Sequence, residues 1–126
     1  MKILGTETAR EPDHLAHTIE LACRLVETFG HQSSFTSDIS EAVEKAKLEQ
    51  FDWILIHHID VCAIRWLREV SPNLRYLGLS GNVFPEDIAP PNSIGYAYKQ
   101  KMLKDYDVVV GSHDIIRVLH DLFERR

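Results

Sequence analysis

Short apolar runs alternating with amphipathic stretches constrain this chain more than any other feature. That rhythm belongs to βα units packed on a mostly parallel sheet. The clearest run is Trp53-Ile54-Leu55-Ile56. It is continuous rather than alternating, as expected of a central parallel strand covered on both faces. Lys2-Ile3-Leu4, residues 32–36 around Ser34 and Phe35, Tyr76-Leu77-Gly78-Leu79 and Val108-Val109-Val110 supply four more strands.

The intervening segments have helical period. Leu15, Ile19, Ala22, Cys23, Val26 and Phe29 recur on one face, and Gly30 provides a stop. Asp38 and Glu41 have the spacing of a capping box ahead of Ile39, Ala42, Val43 and Ala46. Asp60 opens a third helix through Val61, Ile64, Leu67 and Val70, which Pro72 closes. Tyr96 to Leu103 is a weaker fourth helix, and Ile115, Ile116, Leu119, Leu122 and Phe123 mark the last. Five strands and five helices in alternation predict an α/β doubly wound sheet. A length of 126 residues fits a single domain over 1–126 with one core.

Charge and apolar content exclude several classes of function. The formal net charge is −5 and the basic residues are scattered. A phosphate backbone is held by clustered positive charge, so no direct nucleic-acid binding is expected. No apolar run approaches the about 20 residues of a membrane span, and none has the form of a secretory signal. Cys23 and Cys62, far apart and both within expected helices, read as buried free thiols of a cytoplasmic protein.

Three segments carry a family resemblance. Phe51-Asp52-Trp53-Ile54-Leu55-Ile56 resembles the strand leading into the phospho-accepting aspartate of response-regulator receiver domains. Ser71-Pro72-Asn73-Leu74-Arg75-Tyr76-Leu77-Gly78-Leu79-Ser80-Gly81 resembles the receiver segment that ends in the signalling hydroxyl. Val108-Val109-Val110-Gly111-Ser112-His113-Asp114 resembles the fifth strand and its exit. The likeness covers essentially the whole chain and implies a flavodoxin-like strand order of 2-1-3-4-5.

Receiver chemistry, by the same resemblance, needs four parts: an acidic pair for magnesium, an aspartate nucleophile, a hydroxyl and a lysine. After the first strand stands Gly5-Thr6-Glu7-Thr8, with Glu7 as a single carboxylate. His57, followed by His58, occupies the nucleophile position. Ser80 supplies the hydroxyl; Gly111 occupies the lysine position, followed by Ser112 where proline is usual. An imidazole cannot form an acyl phosphate, and magnesium prefers hard oxygen ligands. The expectation is a degenerate pseudo-receiver: a non-enzymatic signalling module with no aspartyl-phosphate switch, no cofactor and no resident metal.

Other readings of these residues belong to different classes. Thr6, Glu7, His57, His58, Ser80 and His113 can line the crevice where doubly wound sheets take ligands, which makes a small-molecule or metal-binding domain the runner-up. Adjacent strand residues point to opposite faces, so His57 and His58 do not both reach one ion from a continuing strand. The short spacing that makes a zinc motif specific is also missing. The histidines also invite a pH switch. An enzyme of flavodoxin-like type ranks last, because Gly5 stands alone without a cofactor fingerprint and Ser80 lies in no nucleophile elbow.

The resemblance implies that partners dock on the surface of the fourth helix, fifth strand and fifth helix. Here that involves Tyr96, Tyr98, Lys101, Tyr106, Arg117 and His120, with homodimerisation through the same face as a secondary expectation. Trp53 and Trp66 are expected to pack between the sheet and a helix. The loop bearing Phe84, Pro85, Ile88, Pro90 and Pro91 is long for a βα connection and suits a docking role.

Overall fold

The computed structural model describes residues 1–6, 18–56, 61–80, 106–111 and 114–124, with the backbone alone for 61–63 and 80. The strands are β1 (Lys2–Thr6), β2 (Gln32–Thr36), β3 (Trp53–Ile56), β4 (Arg75–Ser80) and β5 (Val108–Gly111). They form one parallel sheet in the order β2-β1-β3-β4-β5. The described helices are α1 (Thr18–Thr28), α2 (Ile39–Leu48), α3 (Val61–Val70) and a C-terminal helix (Ile115–Phe123). This is the flavodoxin-like doubly wound fold expected from the sequence, in the expected strand order. The fourth helix anticipated at Tyr96–Leu103, the loop from Gly81 to Asn92 and the Asp60 cap lie outside the described residues.

Alternation along each strand divides the core between two layers. Leu4, Ile54, Ile56, Tyr76 and Val109 pack with Ala42, Val43, Ala46, Ile64 and Leu67 of α2 and α3. Ile3, Trp53, Leu55, Leu77, Leu79 and Val110 pack with Ile19, Val26, Ile115, Leu119 and Phe123 of α1 and the C-terminal helix. All four β3 residues are buried, which explains the unbroken apolar run there.

Local signals end and start the helices. Gly30 has φ +94°. The His31 amide donates to the Val26 carbonyl and the Gly30 amide to that of Glu27, the paired bonds of a Schellman cap. Asp38 caps α2 by accepting from the Ser40 amide at 2.8 Å, one residue short of the Glu41 amide that a capping box uses. Trp66 departs from expectation. It is 52% exposed, because the buried stripe of α3 runs through Ile64 and Leu67 and carries residue 66 away from the sheet.

The amino ends of β3 and β5 carry the same device. Phe51-Asp52 precedes β3, and Tyr106-Asp107 precedes β5. The Asp52 amide donates to the Lys2 carbonyl while the Lys2 amide donates to Asp52 Oδ2, both at 2.8 Å. The Asp107 amide donates to the Tyr76 carbonyl at 3.0 Å while the Tyr76 amide donates to Asp107 Oδ2 at 2.7 Å. Each aspartate thus grips both backbone groups of one residue on the neighbouring strand.

Cys23, buried in α1 beneath β1, is a free thiol as expected, whereas the Cys62 side chain lies outside the described residues. Burial, with smaller contributions from Glu27 and Glu20, pushes the Cys23 thiol from its ordinary 9.0 to about 12. Burial also raises the Tyr76 hydroxyl, against the opposing charge of Arg68. Between the ordinary and the raised value the folded chain holds a proton that the unfolded chain has released. Stability therefore falls as pH rises through that window, by at most about 1.4 kcal/mol per pH unit from one group. Chemical denaturation at pH 8 and at successive alkaline values should show this decline, and Cys23→Ala should flatten it. An unchanged slope in the variant would remove Cys23 as the cause.

Candidate functional site at the carboxyl ends of the strands

The crevice of a doubly wound sheet opens at the carboxyl ends of its strands, and parallel register decides what meets there. Thr6 ends β1 opposite Thr36 of β2 and Ile56 of β3. Ser80 ends β4 opposite Gly111 of β5. Glu7 and His57 follow Thr6 and Ile56 in sequence. With His58 and His113 they lie outside the described residues, as does the Ser80 side chain.

The described part of this rim is neutral and largely self-satisfied. Thr6 is fully buried. The Thr36 hydroxyl lies 3.2 Å from Thr6 Oγ1 and 3.1 Å from the Asp38 carbonyl oxygen, so its one proton is shared between two acceptors. Thr6 is therefore a structural hydroxyl facing β2. Gly111 is buried, and its carbonyl accepts from the Asp114 amide at 3.0 Å as the chain turns into the C-terminal helix. It brings no ammonium to the rim. Among the described residues no group of three His, Cys, Asp or Glu side chains can hold a metal ion.

The residues expected on a partner face separate. Arg117 is exposed, 3.4 Å from Asp121 and 3.8 Å from Asp114. His120 is also exposed; its Nδ1 is 2.7 Å from Glu124 Oε2, and its ring lies 4.9 Å from that of Phe29. Tyr106 is 4% exposed, with its ring packed over Gly78 inside the α2–α3 layer. It belongs to the core rather than to an exposed face, because β5 starts two residues later and its entry is tucked beneath β4. Tyr96, Tyr98 and Lys101 lie outside the described residues, as do Phe84 and Ile88.

The sequence pattern assigned no role to His31, which joins the two ends of the described chain. Its Nδ1 is 2.9 Å from the Met1 ammonium and its Nε2 2.6 Å from the Phe123 carbonyl oxygen. A tautomer with the proton on Nε2 satisfies both contacts. A lone histidine after a helix stop carries no periodic signal, so only the tertiary contacts reveal this link.

Solved structures place the architecture. The chain aligns over 95% of its length with 96% of the Francisella response regulator 1452 receiver domain, at TM-score 0.63 and 19% identity. The fold is that of a receiver domain. Two further neighbours share the fold. A Burkholderia pseudomallei response regulator, with a phosphorylated aspartic acid, calcium ion and citrate, matches at TM-score 0.64 and 18% identity, covering 99% of this chain and 67% of that one. The receiver domain of the Pseudomonas aeruginosa sensor histidine kinase PA1611, with magnesium coordinated in its active site cleft, matches at TM-score 0.61 and 18% identity over 98% of both chains. No family model and no curated protein matches the sequence. Among the described residues, no helix of the receiver-like chain is long and apolar enough to cross a membrane.

Proposed function

We propose that this chain is a receiver-like signalling module that does not take up phosphate and acts by docking a protein partner. The observation that carries the reading is β5 ending at Gly111, in register with Ser80, where the receiver pattern calls for a lysine. His57 in place of the aspartate nucleophile and the single carboxylate of Glu7 point the same way. The domain is non-enzymatic and cytoplasmic, spans 1–126, binds no nucleic acid directly, and uses the surface bearing Arg117 and His120 for a partner or a second copy.

The test is exposure to acetyl phosphate with magnesium, read by intact mass and by the amide signals of Ser80 and Gly111. The expected result is no phosphoryl adduct and no movement of either signal, under conditions that phosphorylate an ordinary receiver. An adduct released by hydroxylamine, the signature of an acyl phosphate, would overturn the proposal.

A further inference from the structure

Three aromatic rings in the described structure have a cation over them. Lys2 Nζ lies 5.3 Å from the Phe51 ring, Arg68 lies 5.2 Å from Tyr76, and Arg75 lies 4.4 Å from Trp53. Trp66 has no ring or cation contact among the described residues, although it is half exposed on α3. Its indole lines an open groove of about 300 Å³ between α2 and α3, together with Val43, Glu44, Lys47, Glu69 and Val70. That volume is at the small end of ligand pockets, suited to one long side chain rather than to a cofactor.

The charges of the groove select the sign of its occupant. Glu44 is paired with Lys47 at 3.2 Å. Glu69 has no ion-pair or hydrogen-bond partner among the described residues. An indole and a neighbouring carboxylate that both lack partners among the described residues favour a cation that is flat, weakly hydrated and able to stack, which describes guanidinium better than ammonium. The valines supply apolar surface for the methylenes of such a side chain.

We propose that the α2–α3 groove is a docking site for an arginine-bearing segment of a protein partner, stacked on Trp66 and paired with Glu69. This rests on the reading of the chain as a docking module. The groove is separate from the strand rim probed by acetyl phosphate, so the two proposals can fail independently.

The test is an amide and indole NMR titration of the full chain with a short oligoarginine peptide, and with an oligolysine peptide of equal length. Saturable shifts confined to Ser40–Lys47 and Trp66–Val70, with tighter binding of the arginine peptide, are expected. Trp66→Leu should weaken binding about two- to fivefold, the equivalent of an exposed cation–π contact. Glu69→Gln should weaken it to a similar degree, about two- to fivefold. Glu69 is exposed, so that variant decides the matter even where the tryptophan variant fails to fold. Equal affinity for both peptides, or shifts spread over other faces, would reduce the effect to attraction by an acidic protein and overturn the proposal. Groove signals that move with protein concentration alone would assign the site to a second copy and overturn it equally.

Discussion

Replacing Phe123 by alanine is expected to cost about 3–5 kcal/mol of stability, the range for emptying a buried aromatic site. The side chain is 1% exposed and packs against two distant segments at once. Its ring stands edge-on to Trp53 at 5.4 Å and to His31 at 5.9 Å, while its own carbonyl receives the His31 ring nitrogen. The change therefore opens a cavity between the C-terminal helix and β3 and loosens the contact that ties this helix to the start of β2. Urea denaturation of the variant, read by tryptophan emission and far-UV circular dichroism together, gives the value. A loss under about 1 kcal/mol would mean that the neighbours collapse into the space, and that the last helix is peripheral to the core.

Gly78→Ala is expected to destabilise by about 1–3 kcal/mol through overpacking. A Cβ at Gly78 would lie 2.8 Å from both Cδ1 and Cε1 of Tyr106 and 3.1 Å from Cγ. That ring is buried in the core and has no free end to swing away. The clash is specific, so Tyr106→Leu combined with Gly78→Ala should lose less than the two single changes added together, by more than about 0.5 kcal/mol. Strict additivity in denaturation experiments would show that the strain at Gly78 comes from elsewhere.

Much of this architecture was legible in the residues, because burial imposes periodicity. The unbroken run of β3 and the stripe Ile19, Ala22, Cys23 and Val26 are direct records of which surfaces meet the core. Gly30 and Asp38 were legible for a different reason, since caps depend on residues a few positions away. Trp66 and Tyr106 were misplaced because an aromatic residue suits both core and surface, and only the angular position on α3 or the approach of β4 decides between them. His31 and the paired aspartates act between segments distant in sequence, so no local pattern announces them. Of the candidate site, Thr6 and Gly111 are the last residues of β1 and β5, and register adds that Gly111 faces Ser80 and that the Thr6 hydroxyl serves β2.

Asp52 and Asp107 have a consequence for how such a chain can change over generations. A slip of one residue would turn every side chain of a strand to the wrong face, so something must hold the alignment. Both aspartates do so at the amino ends of β3 and β5, one pinning β1 and the other β4. Among the described residues, the carboxyl ends carry no second aspartate of this kind. A side chain that changes at the carboxyl end of β5, such as that of residue 111, therefore leaves these two clamps in place. What holds the strands in register is separable from what lines their far ends.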